Sequence, residues 1–178
     1  VCIDLFAGPG GLGEGFYQAG LEIGVSVEKE KTECKTLLAR KIFHRLRELG
    51  HVRVAEHLRE SKTPLDAIKE SYPDVYEDCE KRVLELEMGQ ADFKEVVKSI
   101  EWAIGPQSSE NLIVIGGPPC QAYSIVGRAR QVSNKTRNSA PEIVDRFYAD
   151  SRHTLYREYL KILAVFRPAV FVMENVKG

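Results

Sequence analysis

Gly116-Gly117-Pro118-Pro119-Cys120-Gln121 presents a thiol directly after two prolines. Proline fixes φ and carries no N–H, so the pair holds the residue that follows it rigidly. A fixed thiol suits nucleophilic catalysis, in which the thiolate is the attacking form. A free cysteine ionises near pH ~8.5, so a neighbouring positive charge or dipole must favour the thiolate at neutral pH. Cys2, Cys34 and Cys79 lack such a setting, and with no C-x-x-C pair in the chain they read as reduced structural thiols.

Three other stretches could take part in chemistry. Gly8-Pro9-Gly10-Gly11-Leu12-Gly13 matches G-x-G-x-x-G, and Glu28 follows its first glycine by 20 residues. Glycines let a backbone approach a ligand closely, and an acid at that spacing can accept both hydroxyls of a ribose. Such a pattern suits NAD and S-adenosylmethionine equally. Glu174-Asn175-Val176 places an acid and an amide after the apolar run Ala169 to Met173. From Val126 to Ala140 the chain carries Arg128, Arg130, Lys135 and Arg137 and no acid. Placed just after Cys120, that stretch reads as a solvated loop or as a contact for phosphates. The four histidines have no ligand spacing, so no metal site is expected.

The elements that must position these residues alternate. Val1 to Phe6, Leu21 to Val27, Asn111 to Ile115 and Ala169 to Met173 are short apolar runs ending in glycines or acids, as buried parallel strands do. After Glu28, the residues Cys34, Leu37, Leu38, Ile42, Leu46 and Leu49 keep to one helical face. Leu155, Tyr159, Ile162, Leu163 and Phe166 form a second stripe, with a cap at Asp150 or Ser151 and Pro168 closing it. The alternation predicts an α/β fold with a doubly wound, mostly parallel sheet. In such sheets ligands sit beyond the carboxyl ends of the strands, where every unusual cluster here falls. Residues 50–88, charged and interrupted by Pro64 and Pro73, read as a helical insertion on the surface without strand character.

Composition sets the bounds. The 178 residues are 43% hydrophobic and 29% charged, enough for one core and too charged for a membrane protein. With 25 basic and 26 acidic residues the net charge is −1, so contact with a nucleic acid must be local. No leader and no apolar run near ~18 residues is present, which leaves a cytoplasmic protein, nucleoid-associated in a prokaryote, as the expectation.

DLFAGPGG, GGPPCQAYS, DSRHTLYREYLKIL and FVMENV follow one another in the order found in cytosine-C5 DNA methyltransferases. The chain resembles the N-terminal part of that family's catalytic domain over nearly its whole length. Enzymes that methylate exocyclic amines carry an aromatic residue after the paired prolines and need no cysteine. The resemblance implies a Rossmann-like fold, incomplete here, that binds S-adenosylmethionine, and double-stranded DNA as substrate. It makes Cys120 the nucleophile toward C6 of a flipped-out cytosine and Glu174 the partner of N3. Phe6, Gly8, Gly10 and Gly11 would cradle the methionine end of the cofactor, with Glu28 on the ribose. Asp92 would meet the adenine amino group, and Pro119 and Leu155 would line the pocket. Asn175 would orient the turn. Arg128, Arg130, Lys135 and Arg137 would lie in a catalytic loop, about 121–150, that closes on DNA.

Two positions depart from the family pattern: Ala91 precedes Asp92 where glycine is usual, and Lys29 stands where an apolar side chain often covers the adenine. The expectation is a catalytic domain in part, with about five strands and without the target-recognition domain, inactive alone. A restriction–modification role, with a cognate endonuclease as possible partner, follows from the resemblance. A transfer-RNA cytosine methyltransferase, a nicotinamide dehydrogenase and a non-catalytic binding module are the competing readings.

Overall fold

The computed structural model describes residues 1–60, 64–118 and 155–175. Five strands make one sheet: β1 (Cys2–Leu5), β2 (Ile23–Glu28), β3 (Val83–Glu85), β4 (Ile113–Gly116) and β5 (Val170–Met173), in the order β3-β2-β1-β4-β5. All four pairings are parallel. The doubly wound α/β class predicted above is therefore the one observed. Chain order reverses between β1 and β4, the switch point at which such sheets bind ligands. Leu5 pairs with Val27 on one side and Gly116 on the other, and Gly116 pairs with Met173. Four glycine- or acid-bearing strand ends thus reach one edge together.

Alternation along the strands sends two sets of side chains to opposite faces. Ile3, Leu5, Val25, Val27 and Val114 bury against α6 (Phe93–Ile104) and α7 (Leu155–Phe166), which contribute Val96, Ile100 and Ala103, and Tyr159, Ile162 and Phe166. Burying each large aliphatic side chain of this layer stabilises the fold by roughly 1.5–3 kcal/mol. The Tyr159 hydroxyl reaches the carbonyls of Val114 and Val172 at 3.1 and 3.0 Å, so its one proton serves either strand β4 or β5. On the other face Asp4 and Ser26 turn toward α1 (Gly11–Gln18) and α2 (Lys31–Glu48).

The helix after Glu28 forms as its periodicity predicts, burying Cys34, Leu37, Leu38, Ile42 and Leu46. Leu49 departs from that stripe. It is the C-cap, 47% exposed, because the helix stops at Glu48 in a turn through Gly50, whose φ is +84°.

Residues 50–88 require a correction. Among the described residues they form α3 (Val52–Arg59), α4 (Leu65–Ser71) and α5 (Pro73–Glu80), but the range also contains β3. The strand was missed because three residues of half-exposed edge carry no alternation to read. Nor are the helices only a surface addition. Ala55, Leu58, Ile68, Tyr76 and Cys79 share a second core with Leu38, Ile42 and Leu46 of α2. No described helix is long and apolar enough to cross a membrane.

Candidate cofactor and base site

The first strand end turns sharply. Phe6 and Gly8 adopt positive φ, 55° and 54°, and Gly10, at 85°, starts α1. Ala7 N donates to Val27 O, which ties the turn to β2. Glu28 fixes it further: its Oε2 accepts from Gly8 N at 2.8 Å, and its Oε1 from Lys29 N and Glu30 N at 2.8 and 2.9 Å. The carboxylate, 8% exposed, therefore holds the glycine turn and its own strand end together. Oε2 keeps a lone pair for a hydroxyl donor. The spacing of 20 residues seen in the sequence becomes a direct bond.

At the adjacent strand ends, Glu174 N donates to Gly116 O at 2.9 Å. The Glu174 carboxyl lies over Gly117, where a β-carbon would stand 2.8 Å from Oε2. Phe6, Ala7, Leu12, Gly117, Glu174 and Asp4 line one cavity of about 360 Å³. The structure thus brings together Phe6 and Glu174, with Gly8 and Glu28 in the turn beside them.

Other sequence-predicted residues sit differently. Asp92 is exposed at the N-cap of α6, where its Oδ1 accepts from Lys94 N and Glu95 N at 2.9 and 3.2 Å. Its second oxygen keeps full acceptor capacity. Leu155 begins α7, packs on the edge of the main core and lies beside Gly89. Gly10 is buried against Leu37 of α2, and Gly11 is exposed at the first turn of α1. Lys29 forms ion pairs with Glu30 and Glu87 at 3.6 and 3.7 Å. Asn175 is exposed. Pro119, Cys120, Arg128, Arg130, Lys135, Arg137 and the cap at Asp150 or Ser151 lie outside the described residues.

Sequence reasoning passed over Asp4. It is 1% exposed and lines the same cavity as Glu174, and neither carboxylate oxygen has a hydrogen-bond partner among the described residues. Desolvation pushes its carboxyl up to about 7, with Lys41 opposing and the Glu28 charge adding to the rise. The available signal was an acid inside an otherwise apolar strand, VCIDLF. Among the described residues no group of histidine, cysteine and acidic side chains could hold a metal ion.

A cofactor with a diol and a cationic centre fits this donor set. Glu28 offers the acceptor, Asp4 an uncompensated buried carboxyl, and Phe6 and Leu12 apolar walls.

Residues 107–178 match the family model for C-5 cytosine-specific DNA methylase. Over its whole length the chain is 33% identical to the type II methyltransferase M.Bpa9945I of Bacillus paralicheniformis, of which it covers 41%. It is 29% identical, over 99% of its length, to the type II methyltransferase M.AgeI of Thalassovita gelatinovora, covering 28% of that protein. Over 99% of its length it is 26% identical to the DNA (cytosine-5)-methyltransferase PliMCI of Paracentrotus lividus, covering 8% of it. The chain spans less than half the length of these curated relatives. No solved structure gives a significant match. With the glycine turn, the Gly116–Gly117 strand end and the Glu174 strand end in one sheet, the chain is similar to the C-5 cytosine-specific DNA methylases, by the family model over residues 107–178 and by these relatives over its whole length.

Proposed function

We propose that this chain forms the cofactor-binding and nucleophile-bearing part of an enzyme that methylates C5 of cytosine in double-stranded DNA. The observation that carries the reading is the meeting of Gly117 and Glu174 at the paired ends of β4 and β5, over a cavity shared with Phe6 and Asp4. That cavity opens where the sheet changes direction.

S-adenosylmethionine, when bound, supplies an activated methyl group. Glu28 orients its ribose, Phe6 and the turn at Gly8, Gly10 and Gly11 cradle its methionine end, and Asp92, Pro119 and Leu155 flank the rest. Cytosine C5 is a weak nucleophile. The Cys120 thiolate adds to C6, which turns the ring into an enamine whose C5 is electron-rich. Glu174 holds a proton at N3 and so stabilises the charge that develops there, while selecting cytosine by its hydrogen-bonding edge. Once C5 carries the methyl group and is tetrahedral, its proton passes to solvent, and the electrons of that C–H bond restore the C5–C6 double bond and expel Cys120 from C6 as thiolate. C6 is out of reach inside a duplex, so the base enters the cavity flipped from the helix. Arg128, Arg130, Lys135 and Arg137 hold the phosphates around it.

The DNA reading is preferred to a transfer-RNA substrate because the family model and the Paracentrotus lividus relative carry DNA in their names. The type II names of other relatives support a restriction–modification role beside a cognate endonuclease.

The test is covalent trapping on duplex DNA containing 5-fluorocytosine, in the presence of S-adenosylmethionine, with Cys120→Ala beside the natural chain. Fluorine cannot leave as the proton does, so the adduct persists. An adduct on DNA that requires Cys120 supports the reading. An adduct on transfer RNA alone would move the chain to the RNA branch, and no adduct despite cofactor binding would make it a non-catalytic module.

A further inference from the structure

Asp4 sits between two cavities. One is the cavity of about 360 Å³ it shares with Phe6, Leu12, Gly117 and Glu174. The other, about 550 Å³, lies under α1 and α2 and includes Lys41, Glu14, Arg40 and His44 in its wall. Gly13 presses on the carboxyl from above: a β-carbon there would stand 2.7 Å from Oδ2. Close packing, near-complete burial and two oxygens without a partner among the described residues mark a carboxyl held in place for a group from outside that set.

The described groups facing it supply no partner. Lys41, from α2, is the cation that acts on it, but its ammonium donates to Ile23 O at 2.9 Å. Arg40 and His44, from the same helix, are engaged with Glu14 of α1 at 2.9 and 2.8 Å. Glu28 on β2 adds negative charge, and Glu174 lines the smaller cavity with Asp4 as a second acid. Cys2 on its own strand and Tyr159 from α7 are neutral neighbours whose ionisation Asp4 opposes. An unpaired buried carboxylate is costly, and it avoids the cost by keeping its proton. Desolvation accordingly pushes Asp4 up to about 7.

We propose that Asp4 is the counter-charge for a cationic group of the ligand that fills the cavity of Phe6, Leu12, Gly117 and Glu174, and that entry of this group displaces the Asp4 proton to solvent. The inference rests on the methyl-donor reading, since S-adenosylmethionine carries two such groups, a sulfonium and an α-ammonium. The Asp4 O–H bond breaks, the proton passes to buffer, and the carboxylate remains opposite the cation. By linkage, affinity rises as pH rises towards the Asp4 range, with a slope that approaches tenfold per unit well below it, and it levels off above.

Calorimetric titration of the full chain, in buffers of different protonation enthalpy, counts the protons released on binding. S-adenosylmethionine, S-adenosylhomocysteine and 5′-methylthioadenosine are the probes: the second lacks the sulfonium, and the third lacks both charges. At about pH 6, close to one proton should leave per S-adenosylmethionine bound, few above about pH 8, and none with methylthioadenosine. Release with S-adenosylhomocysteine as well identifies the ammonium as the partner; its absence there identifies the sulfonium. The proton should vanish in Asp4→Asn. Binding of the methyl donor by the natural chain without release overturns the proposal and leaves the proposed function standing. So does release that survives Asp4→Asn and is lost in Glu174→Gln. No binding of S-adenosylmethionine overturns the proposed function and this inference with it. The natural chain's own proton count decides the matter if Asp4→Asn does not fold.

Discussion

Glu174 rests on Gly117: the acid's Oε2 occupies the space beside that glycine, 2.8 Å from where a β-carbon would be, and no other side chain could stand there without moving the carboxyl. The backbone bond from Glu174 N to Gly116 O, at 2.9 Å, sets the acid on this spot. Gly117, before the paired prolines, therefore makes room for an acid at the end of a different strand, while Gly116 makes room for the Leu5 backbone and Tyr159.

Gly117→Ala should accordingly act as a displacement of Glu174. Methyl transfer by the full chain is expected to fall by about 10²-fold or more in kcat, the range seen when a positioned acid–base or oxyanion group is lost. The dissociation constant for S-adenosylmethionine should change little, because the ribose contact at Glu28 is untouched. Steady-state kinetics beside calorimetry separate the two.

Glu28→Gln should disturb the cofactor turn and the fold together. The carboxylate accepts three backbone N–H bonds, and an amide can replace only one of its two acceptor oxygens. At least one buried donor loses its partner, at a cost of about 1–3 kcal/mol in urea denaturation. Cofactor affinity should fall by at least tenfold.

Asp4→Asn should become more stable than the natural chain as pH rises. The folded-state value of about 7 lies above the ordinary carboxyl value of 3.8. Between those values the folded protein holds a proton that the unfolded chain has lost, so rising pH destabilises the natural chain. Asparagine has no proton to lose. The two stability curves should diverge from about pH 4 to about pH 7 by a few kcal/mol, at ~1.4 kcal/mol per unit, and run parallel above. Lys41, which desolvation lowers to about 8 against the pull of Asp4, titrates beyond this window. Parallel curves throughout would mean that Asp4 is ionised in the ligand-free fold.

Glu14 should show the opposite sign. Desolvation raises its carboxyl, but hydrogen bonds with Gln18, His44 and Arg40 outweigh that effect and hold it at about 2. Its stabilisation is present above the unfolded value and is lost as pH falls towards 2. Glu14→Gln should remove on the order of 1 kcal/mol at neutral pH, after allowance for its partial exposure, and nothing near pH ~2. Chemical denaturation at the two pH values tests it.

Tyr159→Phe should destabilise the β4–β5 edge by about 1 kcal/mol, the usual net worth of one buried hydrogen bond. Hydrogen exchange at Val170–Met173 should accelerate more than exchange in β1.

Much of this protein is legible in its residues. Four of the five strands show as apolar runs ended by glycines or acids. Of these, β1, β2 and β4 are largely buried, as such runs predict, whereas β5 is an edge strand that leaves Val170, Phe171 and Val172 exposed among the described residues. Its apolar composition does not reveal its place at the edge of the sheet. The stripe from Cys34 to Leu46 gives away α2, and the interval between Gly8 and Glu28 marks both as residues at the ends of neighbouring strands, while the bond between them shows only in the fold. Gly117, Cys120 and Glu174 declare themselves by motif. Strand order does not. That β1 lies between β2 and β4, and that Glu174 comes to rest on Gly117, depends on contacts between segments far apart in the chain. The three-residue β3 is defined by its pairing with Ser26, Val27 and Glu28 and by little in its own side chains. Asp4 is the sharpest case. An acid in a strand is ordinarily solvated, and only the packing of Gly13 above it and the cavities on either side turn it into a buried carboxyl without a partner among the described residues. Local sequence determined the elements and the reactive residues. Tertiary packing alone decided which of them face one another and which are stripped of water, because desolvation belongs to the assembled fold and to no segment of it.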